Sequence, residues 1–171
     1  METLPEITLA ELIRYNNWAN QQILQTCQKL SEDQLAATMP GSYGTVRETL
    51  EHIIKGEAFY LWLLTGHRPH PSFQWDARPG LAAMRDYATQ VGNALVEAVD
   101  QIRPTDRVYE EDQGNKFQYQ ALAIFIQIIN HGIEHRTNIT TILSAKQHTP
   151  PGVDGWSYLS AHPDRFDYEV S

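Results

Sequence analysis

Residues 118–145 constrain this chain more than any other stretch, because Leu122, Ile124, Phe125, Ile126, Ile128 and Ile129 would cover every side of one helix. A helix apolar all round is central to its fold or also packs on a second subunit, and we read both, hence a homodimer. The same segment continues as "INHGIEHRTN", residues 129–138, with two histidines four apart. Positions four apart on a helix differ by only about 40°, with side chains roughly 5–6 Å from each other. His131 and His135 share their face with Ile124, Ile128 and Ile142 and so point inward, where an isolated imidazole loses its hydration. An ion gripped by both would satisfy them.

The rest of the chain is punctuated at intervals that fit long helices. Thr8 with Glu11 has capping-box spacing, and Ile7 with Leu12 that of a hydrophobic staple, predicting a first helix over about 9–29. Ser31 and Gln34 suit a further turn. After the break "MPGSYG", Thr45 and Glu48 form another capping box, and a second long helix is expected over about 46–64. The segment "TGHRPHPSFQWDARPG", with Pro69, Pro71 and Pro79, is a loop long enough to cross the molecule. Leu81, Met84, Ala88, Val91, Leu95 and Ile102 then recur at helical spacing, giving a third long helix over about 80–102 that Pro104 stops. "RVYEEDQGNKFQYQ" alternates β-formers around Gly114 and predicts a small hairpin before the last helix, over about 118–145. The expected fold class is all-α: one domain over 1–171, a four-helix bundle with a long crossover between the second and third long helices, plus the hairpin.

Totals exclude several function classes. A chain of 171 residues with 42% hydrophobic side chains has the length and apolar content for one core, and no window approaches a membrane span of about 18 uninterrupted apolar residues. The net charge of -8 would repel a phosphate backbone, so neither nucleic acid nor an anionic membrane is an expected partner. The opening "METLPEITLAELIR" carries acids where a signal peptide has a basic region, which points to a cytoplasmic protein. Cys27 is the single cysteine, falls among apolar neighbours at a helical position, and reads as a small buried hydrophobe.

A metal site built on His131 and His135 needs a third ligand, and a chemically active one keeps an open vertex. His67, His70, His148 and His162 lie in loop or tail and read as solvent-facing. His52, in "RETLEHIIKGEAF" at the edge of the second helix's apolar face, is either a tolerated boundary residue or the ligand supplied by a facing helix. Glu57 falls near the centre of the stripe made by Val46, Leu50, Ile53, Leu61 and Leu64, so it needs a buried partner. Asn16, Tyr15 and Arg136 are candidates for a structural bond. The sharper reading makes Glu57 the weak catalytic candidate of the chain, orienting a metal-bound histidine or acting as general base. Glu134 reads as a boundary residue in a salt bridge. Tyr15, Trp18, Phe59, Tyr60 and Trp62 read as core or pocket wall. Nucleophile-elbow, phosphate-loop, paired-cysteine, His-Glu-x-x-His and diiron Glu-x-x-His signatures are all missing.

"RYNNWANQQIL", "GSYGTVRETLEHIIKGEAFYLWLL", "INHGIEHRTNITTIL" and "PPGVDGWSYL" occur in the order expected of the DinB family, which the chain resembles over nearly its whole length. The most specific piece is the Asn-His-x-x-x-His-Arg run combined with a histidine in the second long helix. The resemblance implies an up-down-down-up bundle that binds a divalent metal through His52, His131 and His135. Two departures from the family pattern stand out. Glu134 occupies a position where many members have a second histidine, which makes the pocket rim more acidic, and Thr137 with Asn138 replaces Gly-Gln after the arginine. Relatives include transferases and isomerases that use low-molecular-weight thiols such as bacillithiol or mycothiol. The family name refers to DNA damage and implies no DNA chemistry.

Two function classes follow. In the first, a metal-dependent enzyme, a transferase or hydrolase acting on a small molecule, holds Zn²⁺ or Ni²⁺ with the open vertex taking a thiolate or water. Zinc and nickel both suit imidazole. In the second, a stress-related binding or interaction protein carries a structural metal whose fourth position a side chain closes.

Overall fold

The computed structural model describes residues 4–67, 69 and 73–166. Helix α1 spans Leu4–Cys27, so it starts about five residues before the expected position and Thr8 lies within it instead of capping it. Pro5 explains the difference: in a first turn its missing N–H costs nothing and its fixed φ is already helical. Ser31 and Gln34 form the expected capping box and open the single turn α2, Glu32–Leu35. Thr45 and Glu48 form the second box at the start of α3, Val46–Thr65, which Gly66 ends at φ 75° in the left-handed region. Helix α4 covers Leu81–Gln101. Strands β1, Arg107–Asp112, and β2, Asn115–Gln120, pair antiparallel with Phe117 opposite Glu110 and Tyr119 opposite Val108. Gln113 and Gly114 join them with φ 48° and 80°, the positive pair a tight two-residue hairpin turn requires. Because β2 uses residues up to Gln120, α5 begins at Ala121 and runs to Ala145. The tail read as irregular contains a short helix α6, Gly155–Ala161, whose start is capped by the Asp154 carboxylate accepting from the Ser157 N–H.

Four long helices make the bundle. Around its axis the order is α1, α4, α3, α5, so α1 lies diagonally across from α3. Asn17 donating to the Gly92 carbonyl, with Arg85 donating to Gln21 and Gln28, sets α4 antiparallel to α1. Arg47 donates to the Pro79 carbonyl at one end, and a cleft at the other is lined by Leu61, Thr65, Ala98 and Gln101, so α3 and α4 run parallel. His52 beside His131 and Tyr60 beside Gln127 set α5 antiparallel to α3. The result is the up-down-down-up arrangement, with the long loop returning the chain between two parallel helices. Phe73 and Trp75 pin that loop by packing on Tyr87, with ring centroids 4.4 and 5.8 Å away.

Ile13, Ile23, Leu24, Ile54, Met84, Val91, Leu95, Phe125, Ile128 and Ile139 fill the core. Cys27 is fully buried there, and burial pushes its thiol up to about 12, so the residue behaves as the small hydrophobe its neighbours suggested. On α5, Ile124, Phe125 and Ile128 face the bundle while Leu122, Ile126 and Ile133 stay 41, 60 and 46% exposed. No helix among the described residues is long and apolar enough to cross a membrane.

Candidate metal centre

Antiparallel packing of α3 on α5 puts His52 opposite the turn that carries His131 and His135. Nitrogen atoms of the three imidazoles all lie within 4.8 Å of one another, and His52 Nε2 is 3.0 Å from His131 Nε2. Donors bonded at about 2.0–2.1 Å in a tetrahedral site stand roughly 3.3–3.4 Å apart, so these side chains fit one small ion after slight rotation. His131 and His135 are 5 and 6% exposed, while His52 is half-buried. Gly56, one turn beyond His52, makes the approach possible: a Cβ there would stand 2.8 Å from His131 Cε1. Gly56→Ala should therefore displace a ring that can rotate. We expect fold stability to change by no more than about 1 kcal/mol, since alanine also gains about that much as a helix former. Metal affinity should fall about tenfold, as read by titration against a chelating dye.

Electrostatics keep the cluster ready to ligate. Burial, then the neighbouring His135, His52 and Arg136, pushes His131 down to about 4. His52 is lowered by burial, His135 and Lys55, and His135 by burial, with the Glu134 carboxylate opposing both shifts. All three are thus neutral at pH 7 and offer lone pairs, the form a metal requires. Nδ1 of His131 and Nδ1 of His135 are buried without a hydrogen-bond partner. Such orphaned polar atoms are costly unless something else satisfies the ring.

Glu57 belongs to a different construction. Its Oε1 accepts from Asn16 Nδ2 and from Asn20 Nδ2, each at 2.6 Å. Arg136 Nη1 donates to Asn16 Oδ1 and Asn20 Oδ1, each at 2.7 Å. Two asparagines one turn apart on α1 therefore link a buried guanidinium on the neighbouring α5 to a buried carboxylate on α3, which they reach across the bundle diagonal. Burial drives Glu57 up, opposed by Asn16, Arg136 and Asn20, and drives Arg136 down, opposed by Glu57 and Tyr15. Gly132 keeps the crossing open, because a Cβ there would collide with Asn16 Oδ1 and Arg136 Nη1. Tyr15, expected as a possible partner of Glu57, instead donates to the Val153 carbonyl and lies 5.8 Å from Arg136 Cζ. Asn20 was not anticipated, yet Asn16 and Asn20 carry the same i, i+4 signal that singled out the histidines.

Tyr43 is the other residue the sequence reading passed over. It projects from the "GSYG" break, stacks on His52 with centroids 4.0 Å apart and planes 20° from parallel, and meets His135 edge-on at 5.0 Å. Its backbone N–H donates to Asn138 Oδ1 at 3.0 Å, tying the loop to α5. A cleft of about 390 Å³ lined by Tyr43, Glu48, Glu51, His52 and Lys55 borders the triad at His52. Glu134 is exposed and makes no ion pair among the described residues, which corrects the expected salt bridge; it acts through its field on His52 and His135. His67 is exposed, and His148 is half-buried. His162 is half-buried too, with Nδ1 3.0 Å from the Tyr158 carbonyl, so it is less solvent-facing than expected. His70 lies outside the described residues.

The sequence matches no curated protein. The model of the DinB family matches residues 2–166 of 171, nearly the whole chain, and the matched span includes all three histidines. With that match and an up-down-down-up bundle around a three-histidine cluster, the chain belongs to the DinB family.

Proposed function

We propose that the protein is a metal-dependent enzyme in which His52, His131 and His135 hold one divalent ion, zinc or nickel, and a small-molecule thiol or water takes the open position. The carrying observation is the convergence of three neutral imidazoles within 4.8 Å, with no fourth His, Cys, Asp or Glu joining them among the described residues. That favours an open vertex over the closed coordination of a structural site. A bound divalent ion lowers the pKa of a coordinated thiol or water and so yields a nucleophile at neutral pH. The chain's own residues do the rest: α3 and α5 fix the donor geometry, Tyr43 walls the outer side of His52, and the 390 Å³ cleft admits a ligand of limited size. Glu57 Oε1 accepts from Asn16 and Asn20, which supports a structural part for this carboxylate, and we route no proton through it. The reading is thiol-dependent group transfer to an electrophilic small molecule.

Elemental analysis of untagged protein purified without chelator tests the site. About one divalent metal per chain, lost in His52→Ala with the helical signal unchanged, is the expected result, together with loss of thiol transfer to a model electrophile. Transfer that persists in the metal-free variant would overturn the enzymatic reading.

The same proposal includes a homodimer. Leu122, Ile126, Ile129 and Ile133 are spaced 4, 3 and 4 on the outer side of α5, a seam that suits a second copy of the helix. Light scattering should give twice the chain mass for the wild type and the monomer mass for the double variant Ile126→Glu, Ile133→Glu.

A further inference from the structure

We infer that the mouth of the triad selects a thiol carrying a fixed positive charge, and discriminates against anionic thiols. The inference rests on the open-vertex reading above and deepens it.

The lining of the cleft contains two carboxylates, Glu48 and Glu51, and one ammonium, Lys55. Lys55 is already engaged: its Nζ is 3.3 Å from Glu51 Oε2 and 4.8 Å from the centre of the Trp75 ring. Arg47 is also within 3.9 Å of Glu51, but its guanidinium is largely covered and serves the Pro79 carbonyl and Glu32. Glu51 is therefore neutralised, whereas no cation within ion-pair distance balances Glu48 among the described residues. Its Oε2 accepts only from the Thr45 N–H. Glu134 adds a second unbalanced carboxylate from the facing helix. It stands one turn before Asn138, whose Nδ2 donates to the Glu134 carbonyl and whose Oδ1 holds the Tyr43 backbone. Glu48 on the cleft wall and Glu134 on the facing helix, whose field reaches His52 and His135, thus leave the mouth net negative.

Tyr43 supplies an independent observation. One face of its ring is stacked on His52, yet the residue is 54% exposed, so the outer face is open to a ligand. An aromatic face beside carboxylates is the pairing that holds ammonium groups, by attraction to the ring quadrupole and to the nearby charge. A ligand with a sulfur to offer the triad and a cation a few bonds away meets both features at once. An anionic thiol of the same length meets Glu48 and Glu134 instead, and their repulsion is weakly screened at low salt.

Three thiols of one length test this on Co²⁺-loaded protein: thiocholine, 2-mercaptoethanol and 2-mercaptoethanesulfonate. They are cationic, neutral and anionic, and the charged groups of the first and last are poor metal ligands. The sulfur-to-cobalt charge-transfer absorption gives each dissociation constant. Thiocholine should bind tightest and the sulfonate weakest, and the preference should shrink in 0.5 M salt. Intrinsic thiol acidity differs among the probes, so the decisive quantity is the thiocholine-to-sulfonate affinity ratio in wild type against Glu134→Lys. Reversing an exposed charge should reduce that ratio about tenfold. An unchanged ratio, with all three thiols still binding, would overturn charge selection and leave the metal site standing. Cobalt binding without any thiol-induced absorption would overturn the open-vertex reading and this inference with it.

Discussion

Replacing Arg136 with methionine is expected to lower folding stability by about 3–5 kcal/mol, the usual cost of stranding one member of a buried charge pair. The side chain is fully buried and its Nη1 serves both Asn16 and Asn20. Methionine fills much of the volume but leaves two amide oxygens unpaired and the Glu57 carboxylate without a counter-charge. In a domain of this size, such a loss should drop the thermal midpoint by roughly 10 °C or more. The double variant Arg136→Met, Glu57→Gln should recover part of it, because the amides then face a neutral acceptor. Denaturant titration of the four proteins gives the coupling, expected between about 0.5 and 3 kcal/mol. A single-variant loss under about 1 kcal/mol would show that the relay contributes little to the fold.

The second large effect concerns affinity, with the fold kept. Apparent zinc affinities of about 10–16 kcal/mol in four-ligand sites amount to roughly 3 kcal/mol per ligand, so His135→Ala should weaken metal binding more than a hundredfold. Stability should hardly suffer. The imidazole removed has a buried Nδ1 with no partner, and losing an unsatisfied polar atom offsets part of the packing lost. Competition with a chelator of known affinity measures the first quantity and the far-ultraviolet helical signal the second. Affinity within tenfold of wild type would remove His135 from the ligand set.

The bundle and its two capping boxes were legible because hydrophobic period and cap chemistry are local. The His131–His135 pair was legible for the same reason. What joins His52 to them is the order α1, α4, α3, α5, and no local pattern encodes which helices become neighbours; here the family resemblance supplied it. The start of α1 was misplaced because Thr8 and Glu11 satisfied a capping pattern while Pro5 had already opened the helix. Tyr43 escaped notice because a tyrosine in a glycine-flanked loop looks like any turn residue until the loop is seen lying over His52. Glu57 was recognised as needing a partner and Asn16, one of the three named, bonds it; what the sequence did not reveal is Asn20 and the relay by which both amides link Glu57 to Arg136.

Gly56 and Gly132 change how other members of the fold can be sorted. Each leaves room for a side chain from another helix, His131 over Gly56 and Asn16 over Gly132, where Arg136 of the same helix also lies. A relative could retain every ligand and still lack the room to bring them together. The useful fingerprint for screening genomes is therefore five positions, three imidazoles and two missing methyl groups. Sequences that keep the first set with alanine in the second are the ones to assay as natural experiments on helix spacing.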